Sequence, residues 1–292
     1  MTKTNSTLIT IFTPSYNRAY TLPRLYESLC AQTDKDFEWL IVDDGSTDET
    51  EDVVKNFISE GKIIIRYYHK TNGGKHTAIN FGVNEARGHL FFIVDSDDRL
   101  ADFAIEWIKR TAAPIMLDKA FAGISGVCTY PNGHKVGGND DFGIVDANAI
   151  DIRTKHFVTG DLAEVFKTDV LRHFPFPVFE GEKFCPEALV WNRIAQKHVL
   201  RYTDCGIYIC EYLDDGLTAK IVKIRRNSPK STMTCYAEQF HYDIPLRLKI
   251  RTAINFHRFS PKLFPRGYNM FNVLSILMII PGKIMRLHDR KL

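Results

Sequence analysis

Apolar positions follow two different spacings in the first hundred residues. Short runs of β-branched and aromatic residues, each ending in a turn signal, are typical of buried strands. Between them, apolar residues recur every three or four positions, which is typical of helices packed by one face. The pattern predicts strands at residues 8–13, 37–42, 62–68 and 90–94. It predicts helices at residues 22–31, 46–59 and 75–86, the second opened by a capping box of Ser46 and Glu49.

Strands and helices alternate with short connections, an order that favours a parallel sheet with helices on both faces. In such sheets, ligands bind beyond the carboxyl ends of the strands. Three predicted strands end in polar turns, at Thr13-Pro14-Ser15, Asp43-Asp44-Gly45-Ser46 and Asp95-Ser96-Asp97-Asp98. We therefore predict an α/β fold with a mostly parallel central sheet flanked by helices, on which these three loops converge at one edge.

Charge divides the chain into two regions. The pattern beyond residue 100 is less regular, with helices predicted at 103–110 and 186–196, strands at 122–130, 161–166 and 206–212, and helix from about 234. Residues 1–215 hold 23 Lys and Arg against 32 Asp and Glu, a balance of −9, whereas residues 216–292 hold 15 against three, a balance of +12. We predict a domain at 1–215 and a basic, mostly helical C-terminal region at 216–292, which points to an anionic partner.

The remaining composition is that of an ordinary globular protein. The 292 residues are 45% hydrophobic and 25% charged. No long apolar run follows a basic start, so no secretory signal is expected. The six cysteines form no CxxC pair, which favours buried free thiols in a reducing cytoplasm.

The C-terminal region combines apolar and basic residues. Its longest uncharged apolar run, residues 273–281, is too short to span a bilayer, and Lys283, Arg286, Arg290 and Lys291 follow it. Apolar residues beside clustered cations suit docking on an anionic membrane surface. An equal alternative is that this helix packs on the rest of the protein or joins two subunits.

Asp95, Asp97 and Asp98 directly follow a predicted apolar strand. Three carboxylates so close together repel one another unless a cation joins them. Such hard oxygen ligands suit Mg²⁺ or Mn²⁺, which often bind through one or two carboxylates and substrate phosphates. A solvated acidic turn that caps a helix is the alternative.

Two further turns carry candidate binding residues. Asp44 could accept a hydrogen bond from a base or a ribose, although a turn with Ser46 as a helix cap explains it equally well. Asn72-Gly73-Gly74-Lys75 opens a predicted helix, whose N–H groups and lysine could hold an anion. It lacks P-loop spacing, and a plain tight turn is the alternative.

Four segments in this order resemble the family 2 glycosyltransferases: Thr13-Pro14-Ser15-Tyr16-Asn17-Arg18, Val42-Asp43-Asp44-Gly45-Ser46-Thr47-Asp48, Asn72-Gly73-Gly74-Lys75 and Val94-Asp95-Ser96-Asp97-Asp98. The resemblance implies the A-type glycosyltransferase fold, a nucleotide-sugar donor, usually a UDP-sugar, and an inverting mechanism. Residues 1–100 would then bind the donor and residues 101–215 the acceptor.

The resemblance also implies roles for single residues. Thr13 and Asp44 would lie at the nucleotide base, and Asp95 would approach the ribose. Asp97 would reach an Mn²⁺ or Mg²⁺ ion on the diphosphate, with Asp98 as a second candidate ligand. Pro14, Gly74 and Lys75 complete the predicted donor site.

An inverting transfer requires a general base for the acceptor hydroxyl. The family usually places it in an acidic pair at the start of a helix beyond the metal motif, and this chain has no Glu-Asp pair there. Glu187 is our candidate because Pro186 suits a first helical turn, and Glu182 is the alternative. Glu187 could instead only stabilise the helix dipole.

Taken together, these residues predict a glycosyltransferase at the cytoplasmic face of the membrane. The family resemblance, and no single residue, implies that its acceptor is a glycan or a lipid-linked sugar in cell-envelope polysaccharide synthesis. No nucleic-acid partner is expected. One alternative is a nucleotidyltransferase on a similar sheet, although the loop after the first strand lacks the glycines of that class. The other is a sugar-nucleotide-binding protein without turnover.

Overall fold

The strands and helices of the first hundred residues lie where the hydrophobic pattern predicts them, except that the second helix begins later. The computed structural model describes residues 9–138, 141–211, 220–263, 265, 267–270 and 272–289. Its strands are β1 (Ile9–Ser15), β2 (Phe37–Asp43), β3 (Ile64–His69), β4 (Leu90–Ile93), β5 (Arg99–Leu100), β6 (Phe121–Thr129), β7 (Ile144–Ala147), β8 (Leu162–Lys167) and β9 (Val199–Ile209). Its α-helices are α1 (Leu22–Cys30), α2 (Thr50–Glu60), α3 (Lys75–Glu85), α4 (Ala104–Ala112), α5 (Asp151–Thr154), α6 (Thr168–His173), α7 (Glu187–Ala195), α8 (Ile221–Asn227), α9 (Pro229–His241), α10 (Leu246–Phe259), α11 (Val273–Leu277) and α12 (Ile279–His288).

The strands of the described residues form one nine-stranded sheet. Its order is β3-β2-β1-β4-β8-β6-β9-β5, and β7 pairs with β9. The first four strands in that order are parallel, and β6 runs parallel to β9. Strand β8 enters antiparallel to both of its neighbours. The predicted α/β class, a large sheet with flanking helices, is therefore confirmed, and its parallel part carries the predicted ligand edge.

Successive side chains along a strand point to opposite faces of the sheet, and each face is covered by different helices. Ile11 and Phe92 belong to a buried cluster that also contains α1, α2 and α4 residues. The intervening Phe12 and Phe91 stack on each other at 5.0 Å between ring centroids. Helix α3 packs there so closely that a Cβ on Gly82 would lie 2.1 Å from the Phe12 ring. The start of α3, which carries predicted site residues, is thereby fixed on the sheet.

The predicted capping box at Ser46 and Glu49 is wrong. Helix α2 begins at Thr50, four residues later than predicted, and Glu49 makes no side-chain capping bond. The Ser46 hydroxyl instead accepts the N–H of Asn17 at 2.8 Å. Asp48, one residue before the N-cap, accepts the Thr50 N–H at 3.2 Å and so satisfies the first N–H of the helix. The serine that the pattern assigned to the helix therefore ties two loops together.

Predicted boundaries differ more from the structure beyond residue 100. The strand predicted at 206–212 is the end of the longer β9, which begins at Val199. Helix begins at Ile221, well before residue 234. The residues around the starts of this strand and this helix mix apolar and polar side chains without a clear period, so the pattern did not predict either start. Packing in the folded chain decides both.

The cysteines are free thiols, as predicted. Four of them are buried: Cys128, Cys185, Cys210 and Cys235. Burial raises the pKa of Cys185 and of Cys235 to about 12, so both stay protonated near neutral pH.

The chain divides into two compact units. One comprises Met1–Pro175 and Ile194–Tyr212 and contains the sheet, and the other comprises Phe176–Arg193 and Leu213–Leu292. The second unit has a core of its own, in which Met233 and Phe240 from α9 meet Phe256 from α10. The predicted boundary between residues 215 and 216 lies outside the described residues, and the predicted domain division stays a prediction.

Candidate active site

Three loops meet at the carboxyl edge of the parallel strands, where the sequence predicts convergence. The Asp44 N–H donates to the Ser15 carbonyl at 2.7 Å, which joins the ends of β1 and β2. The Val94 N–H donates to the Phe12 carbonyl at 2.8 Å, which extends the β1–β4 pairing to the start of the acidic turn. The parallel register therefore brings the predicted site residues of three strands to one edge.

Asp44 organises the loop between β3 and α3. It is buried, and its carboxylate accepts the N–H groups of Gly73 at 2.9 Å and Gly74 at 2.6 Å. The Lys70 ammonium lies 2.5 Å from the same carboxylate. Three donors thus occupy the side chain that the resemblance assigned to the nucleotide base. The Asp44 carboxylate thereby fixes the conformation of the Asn72–Lys75 segment.

Thr13 supports the site from inside the sheet. It is fully buried, and its hydroxyl accepts the indole N–H of Trp39 at 2.9 Å. Pro14 and Ser15 follow it, with Pro14 partly exposed. The Thr13 side chain therefore packs inside the sheet near the end of β1, and its predicted place at the nucleotide base stays a prediction.

Lys75 and Asp95 form an ion pair at the start of α3. The ammonium lies 2.7 Å and 2.8 Å from the two carboxylate oxygens. Gly74, with φ at +93°, turns the chain into the helix and so aims Lys75 along the strand edge. The pair connects the Asn72–Lys75 segment to the acidic turn, two motifs that are twenty residues apart in sequence.

Tyr208 holds the acidic turn from the neighbouring strand β9. Its hydroxyl accepts the Asp95 N–H at 2.9 Å and donates to an Asp98 carboxylate oxygen at 2.7 Å. The Glu211 N–H donates to the other Asp98 oxygen at 2.9 Å. Both Asp98 oxygens are therefore engaged within the protein.

Asp97 has different contacts. Arg24 donates to its backbone carbonyl at 2.9 Å and forms an ion pair with Glu211, so this contact does not use the Asp97 carboxylate. Burial and the nearby charge of Asp95 raise the pKa of Asp97. The same two causes raise the pKa of Asp98 to about 7. The turn thus concentrates negative charge that a bound cation would stabilise.

The donor chemistry of this turn fits Mg²⁺ or Mn²⁺. Hard carboxylate oxygens, which this turn supplies, are the ligands that these ions prefer. Among the described residues, no cluster of three or more His, Cys, Asp or Glu side chains forms a complete metal site. The turn would therefore supply one or two ligands, and the donor phosphates and water would supply the others.

Four residues of this site escaped the sequence motifs: Arg24, Lys70, Tyr208 and Glu211. Lys70 lies two residues before Asn72, so a second lysine beside a glycine turn was a usable signal. Tyr208 lies within an apolar strand and carried no such signal. Its role depends on the pairing of β9 beside the acidic turn, which only the folded chain reveals.

The two candidate bases belong to the second unit, and their surroundings differ. Glu182 is buried, and its carboxylate accepts the N–H groups of Lys230 at 2.7 Å and Ser231 at 2.8 Å. It also accepts the Ser231 hydroxyl at 2.7 Å. Glu182 therefore caps the first turn of α9. Glu187 is the first residue of α7 and is partly exposed, as expected from Pro186 before it.

One predicted loop falls outside the structure's described part. The resemblance to the family 2 glycosyltransferases also implies that residues 214–218, beginning with Asp214 and Asp215, close over the donor diphosphate. They lie within residues 212–219, which are not among those described.

Comparison with known proteins confirms the predicted family resemblance. Residues 10–141 match the family described as glycosyl transferase family 2. A glycosyltransferase of uncharacterised role from Haemophilus influenzae is 33% identical over 102 residues, which are 35% of this chain and 41% of that protein. GlyG of Streptococcus pneumoniae is 34% identical over 36% of this chain and 35% of its own length. Chondroitin synthase of Pasteurella multocida is 33% identical over 44% of this chain and 12% of its own length. The matches thus span well under half of these relatives.

Solved structures show the same fold over nearly the whole chain. Residues 1–349 of Staphylococcus aureus TarS, in complex with UDP-GlcNAc, superpose with a TM-score of 0.62 at 19% identity, covering 94% of this chain and 79% of that one. The mannosyltransferase PcManGT from Pyrobaculum calidifontis, in complex with GDP-Man and Mn²⁺, gives a TM-score of 0.58 at 16% identity, covering 97% and 75%. The predicted A-type glycosyltransferase fold is therefore confirmed.

Proposed function

We propose that this chain, whose residues 10–141 match glycosyltransferase family 2, is a metal-dependent inverting glycosyltransferase that uses a UDP-sugar. The observation that carries the proposal is the convergence of the acidic turn Asp95–Asp98 with the segment that Asp44 holds. It lies at the strand edge where ligands of such sheets bind. The family match and the position of this strand edge both support a donor site here.

The acidic turn would bind the metal that the donor diphosphate requires. Asp97 would be the main ligand and Asp98 the second candidate. When bound, Mn²⁺ or Mg²⁺ offsets the negative charge that builds on the leaving diphosphate. Tyr208 keeps the turn in one conformation through its bonds to Asp95 and Asp98. The Asp95 carboxylate would accept a hydrogen bond from a ribose hydroxyl while it stays paired with the Lys75 ammonium.

Glu187 is the proposed general base. Glu187 begins a helix and the residue is partly exposed, although its Oε1 atom is buried. Its carboxylate would accept the proton of an acceptor hydroxyl while that oxygen attacks the anomeric carbon. Glu182 is a poor candidate because three hydrogen bonds from α9 already occupy its oxygens. A proton taken up there would break the helix cap.

The proposed acceptor is a glycan or a lipid-linked sugar of cell-envelope polysaccharide synthesis. The name of one matched relative, chondroitin synthase, supports a glycan acceptor. We also infer a cytoplasmic location with peripheral association at the inner face of the cell membrane. Every helix among the described residues is too short or too polar to cross a bilayer.

A nucleotide-sugar panel tests the proposed reaction. Proteins of the same fold bind UDP-GlcNAc and GDP-Man, so the panel should contain uridine and guanosine donors. We expect slow hydrolysis of one UDP-sugar to UDP, which requires Mn²⁺ or Mg²⁺ and stops with chelator. NMR of the released sugar should show the inverted anomer.

Each alternative gives a different product. Release of pyrophosphate from a nucleoside triphosphate and a sugar phosphate would identify a nucleotidyltransferase. Tight donor binding without any turnover, with or without candidate glycan acceptors, would identify a binding protein. Turnover that is unaffected by chelator would contradict the metal.

A further inference from the structure

Six large apolar side chains form one exposed row along α11 and α12. They recur at spacings of three and four, so they lie on one helical face. Their exposed fractions range from 50% to 76%. We call this row the apolar stripe; its members are Val273, Ile276, Leu277, Ile280, Ile284 and Leu287.

The opposite face of α12 is fixed on α10. A Cβ on Gly282 would lie 2.6 Å from the His257 Cβ, so the two helices are in close contact. Arg258 of α10 forms two bonds of 2.7 Å to the Asp289 carboxylate. The His257 ring lies 2.9 Å from the Ser275 carbonyl and thereby fixes α11 as well. Packing within this unit therefore keeps the apolar stripe turned outward.

The region that carries the apolar stripe is rich in positive charge. Residues 216–292 carry 15 Lys and Arg against three acidic residues. Two of those acids, Glu238 and Asp289, are already in ion pairs with arginines. Lys262 is exposed, and its carbonyl accepts the Lys283 ammonium of α12 at 2.8 Å, which places a cation beside the stripe.

Charge also discriminates between the possible partners of the stripe. A second copy of the chain would bring together two C-terminal regions whose residues 216–292 each have a balance of +12, and like charges repel. An anionic lipid surface would bury the apolar side chains and attract the cations at once. The described helices are too short or too polar to span the bilayer, so the contact would lie within the interface.

We propose that the apolar stripe of α11 and α12 docks the chain on anionic lipid bilayers, with its helices lying in the plane of the interface. The proposal rests on the proposed function in one respect only: docking would help catalysis if the acceptor is a lipid-linked sugar. Lipid binding itself requires no donor, metal or turnover. Vesicle binding and sugar transfer therefore fail or succeed separately.

Vesicle co-sedimentation of the full chain tests the docking. We expect binding to phosphatidylcholine vesicles that contain about 30% phosphatidylglycerol, and at least about tenfold weaker binding to phosphatidylcholine alone. Raising the salt to about 0.5 M should release most of the protein, because screening weakens attraction to the surface. Equal binding to both vesicle types, or binding to neither, would overturn the proposal.

Paired variants locate the surface. Ile280→Glu with Ile284→Glu should lower binding to anionic vesicles at least about tenfold, because two exposed apolar groups that the bilayer would bury become charged. The matched control is Leu117→Glu with Ile144→Glu, two exposed apolar residues of the other unit, which should bind as the wild type does. Unchanged binding of the stripe variant would exclude the stripe.

Two further measurements separate lipid docking from the alternatives. Lys262→Glu should weaken binding about fivefold or more, because each cation near the surface adds about that factor. Size-exclusion chromatography with light scattering should give the same mass for the wild type and the stripe variant. A wild-type dimer that the stripe variant dissociates would show that the stripe is a subunit interface and would contradict the proposal.

Discussion

Asp97 and Asp98 are adjacent carboxylates that make different contacts. Asp98 accepts hydrogen bonds from Tyr208 and Glu211, whereas the contact of Arg24 is with the backbone of Asp97. Asp97→Asn should therefore abolish transfer and weaken metal-dependent donor binding while the fold persists, because a charged ligand to the cation is lost. Calorimetric titration of a UDP-sugar with and without Mn²⁺ measures the effect.

The control for Asp97 is another aspartate of the same unit. Asp52→Asn, on the exposed side of α2, removes the same charge and should leave donor binding unchanged. If Asp97→Asn retains the affinity and turnover of the wild type, the metal assignment is wrong.

The two glutamates of the second unit should respond differently to the same substitution. Glu187→Gln should lower turnover by about 10²–10⁴-fold, as expected for loss of a general base, with donor binding preserved. Glu182→Gln should instead lower the free energy of unfolding by about 1–3 kcal/mol, because an amide cannot accept all three bonds at the start of α9. Steady-state kinetics and urea denaturation of both variants distinguish the roles. If only Glu182→Gln loses turnover, Glu182 and not Glu187 is the general base.

The sequence located the acidic turn and the Asn72–Lys75 segment because their residues follow apolar strands directly. It could not assign the partner of each side chain. Asp44 is an example: its motif suggested a base contact, whereas its carboxylate binds the N–H groups of Gly73 and Gly74. Such bonds depend on the distance between two loops in the folded chain, which sequence spacing does not contain.

Helices α10 and α12 owe their close approach to one glycine. A Cβ on Gly282 would lie 2.6 Å from the His257 Cβ and 2.7 Å from the Ile254 carbonyl oxygen. Gly282→Ala should therefore lower the free energy of unfolding by about 1–3 kcal/mol, although alanine favours helix by about 1 kcal/mol. Urea denaturation followed by circular dichroism measures the change.

Ile284→Ala is the matched control on the same helix. Its side chain is exposed, so truncation should change stability by about 0.5 kcal/mol or less. A Gly282→Ala variant as stable as the wild type would show that the two helices can separate at no cost.

The first four strands were predictable because each is a short apolar run that ends at a polar turn. The start of α2 was not, because the Ser46 hydroxyl bonds to Asn17 in the preceding loop and Asp48 binds the first N–H of the helix. The sequence pattern does not show which of several oxygen side chains near a helix start will bond to its N–H groups. Long-range contacts decide such boundaries.

At the scale of the whole molecule, the two proposals meet in one prediction. If the apolar stripe brings the chain to a lipid-linked acceptor, transfer should be at least about tenfold faster on an acceptor in anionic vesicles than on a water-soluble analogue, because docking raises the local concentration. Ile280→Glu with Ile284→Glu should remove this advantage and leave transfer to the soluble analogue unchanged. Paired rate measurements on the two acceptors test it.

The two outcomes that contradict this prediction differ in meaning. Equal wild-type rates on both acceptors would separate membrane docking from catalysis. Loss of the soluble rate in the double variant would show that the stripe affects the active site directly.

Charge along the sequence suggested two regions, and contacts in the structure define two units with different limits. Residues 176–193 belong to the second unit, together with residues 213–292. Glu182 explains this membership, because its bonds to Lys230 and Ser231 connect segments 48 residues apart. A charge count cannot detect such a return of the chain.

The bonds from Asp44 to Gly73 and Gly74 also set a rule for engineering this protein. The segment around residues 70–75 is an obvious piece to transplant from a relative with another donor preference. Its conformation, however, depends on a carboxylate that the preceding β2–α2 loop supplies. A graft of that segment alone would leave the recipient's residue 44 to fit a foreign backbone. The smallest exchangeable piece is therefore discontinuous, and chimeras should move both segments together.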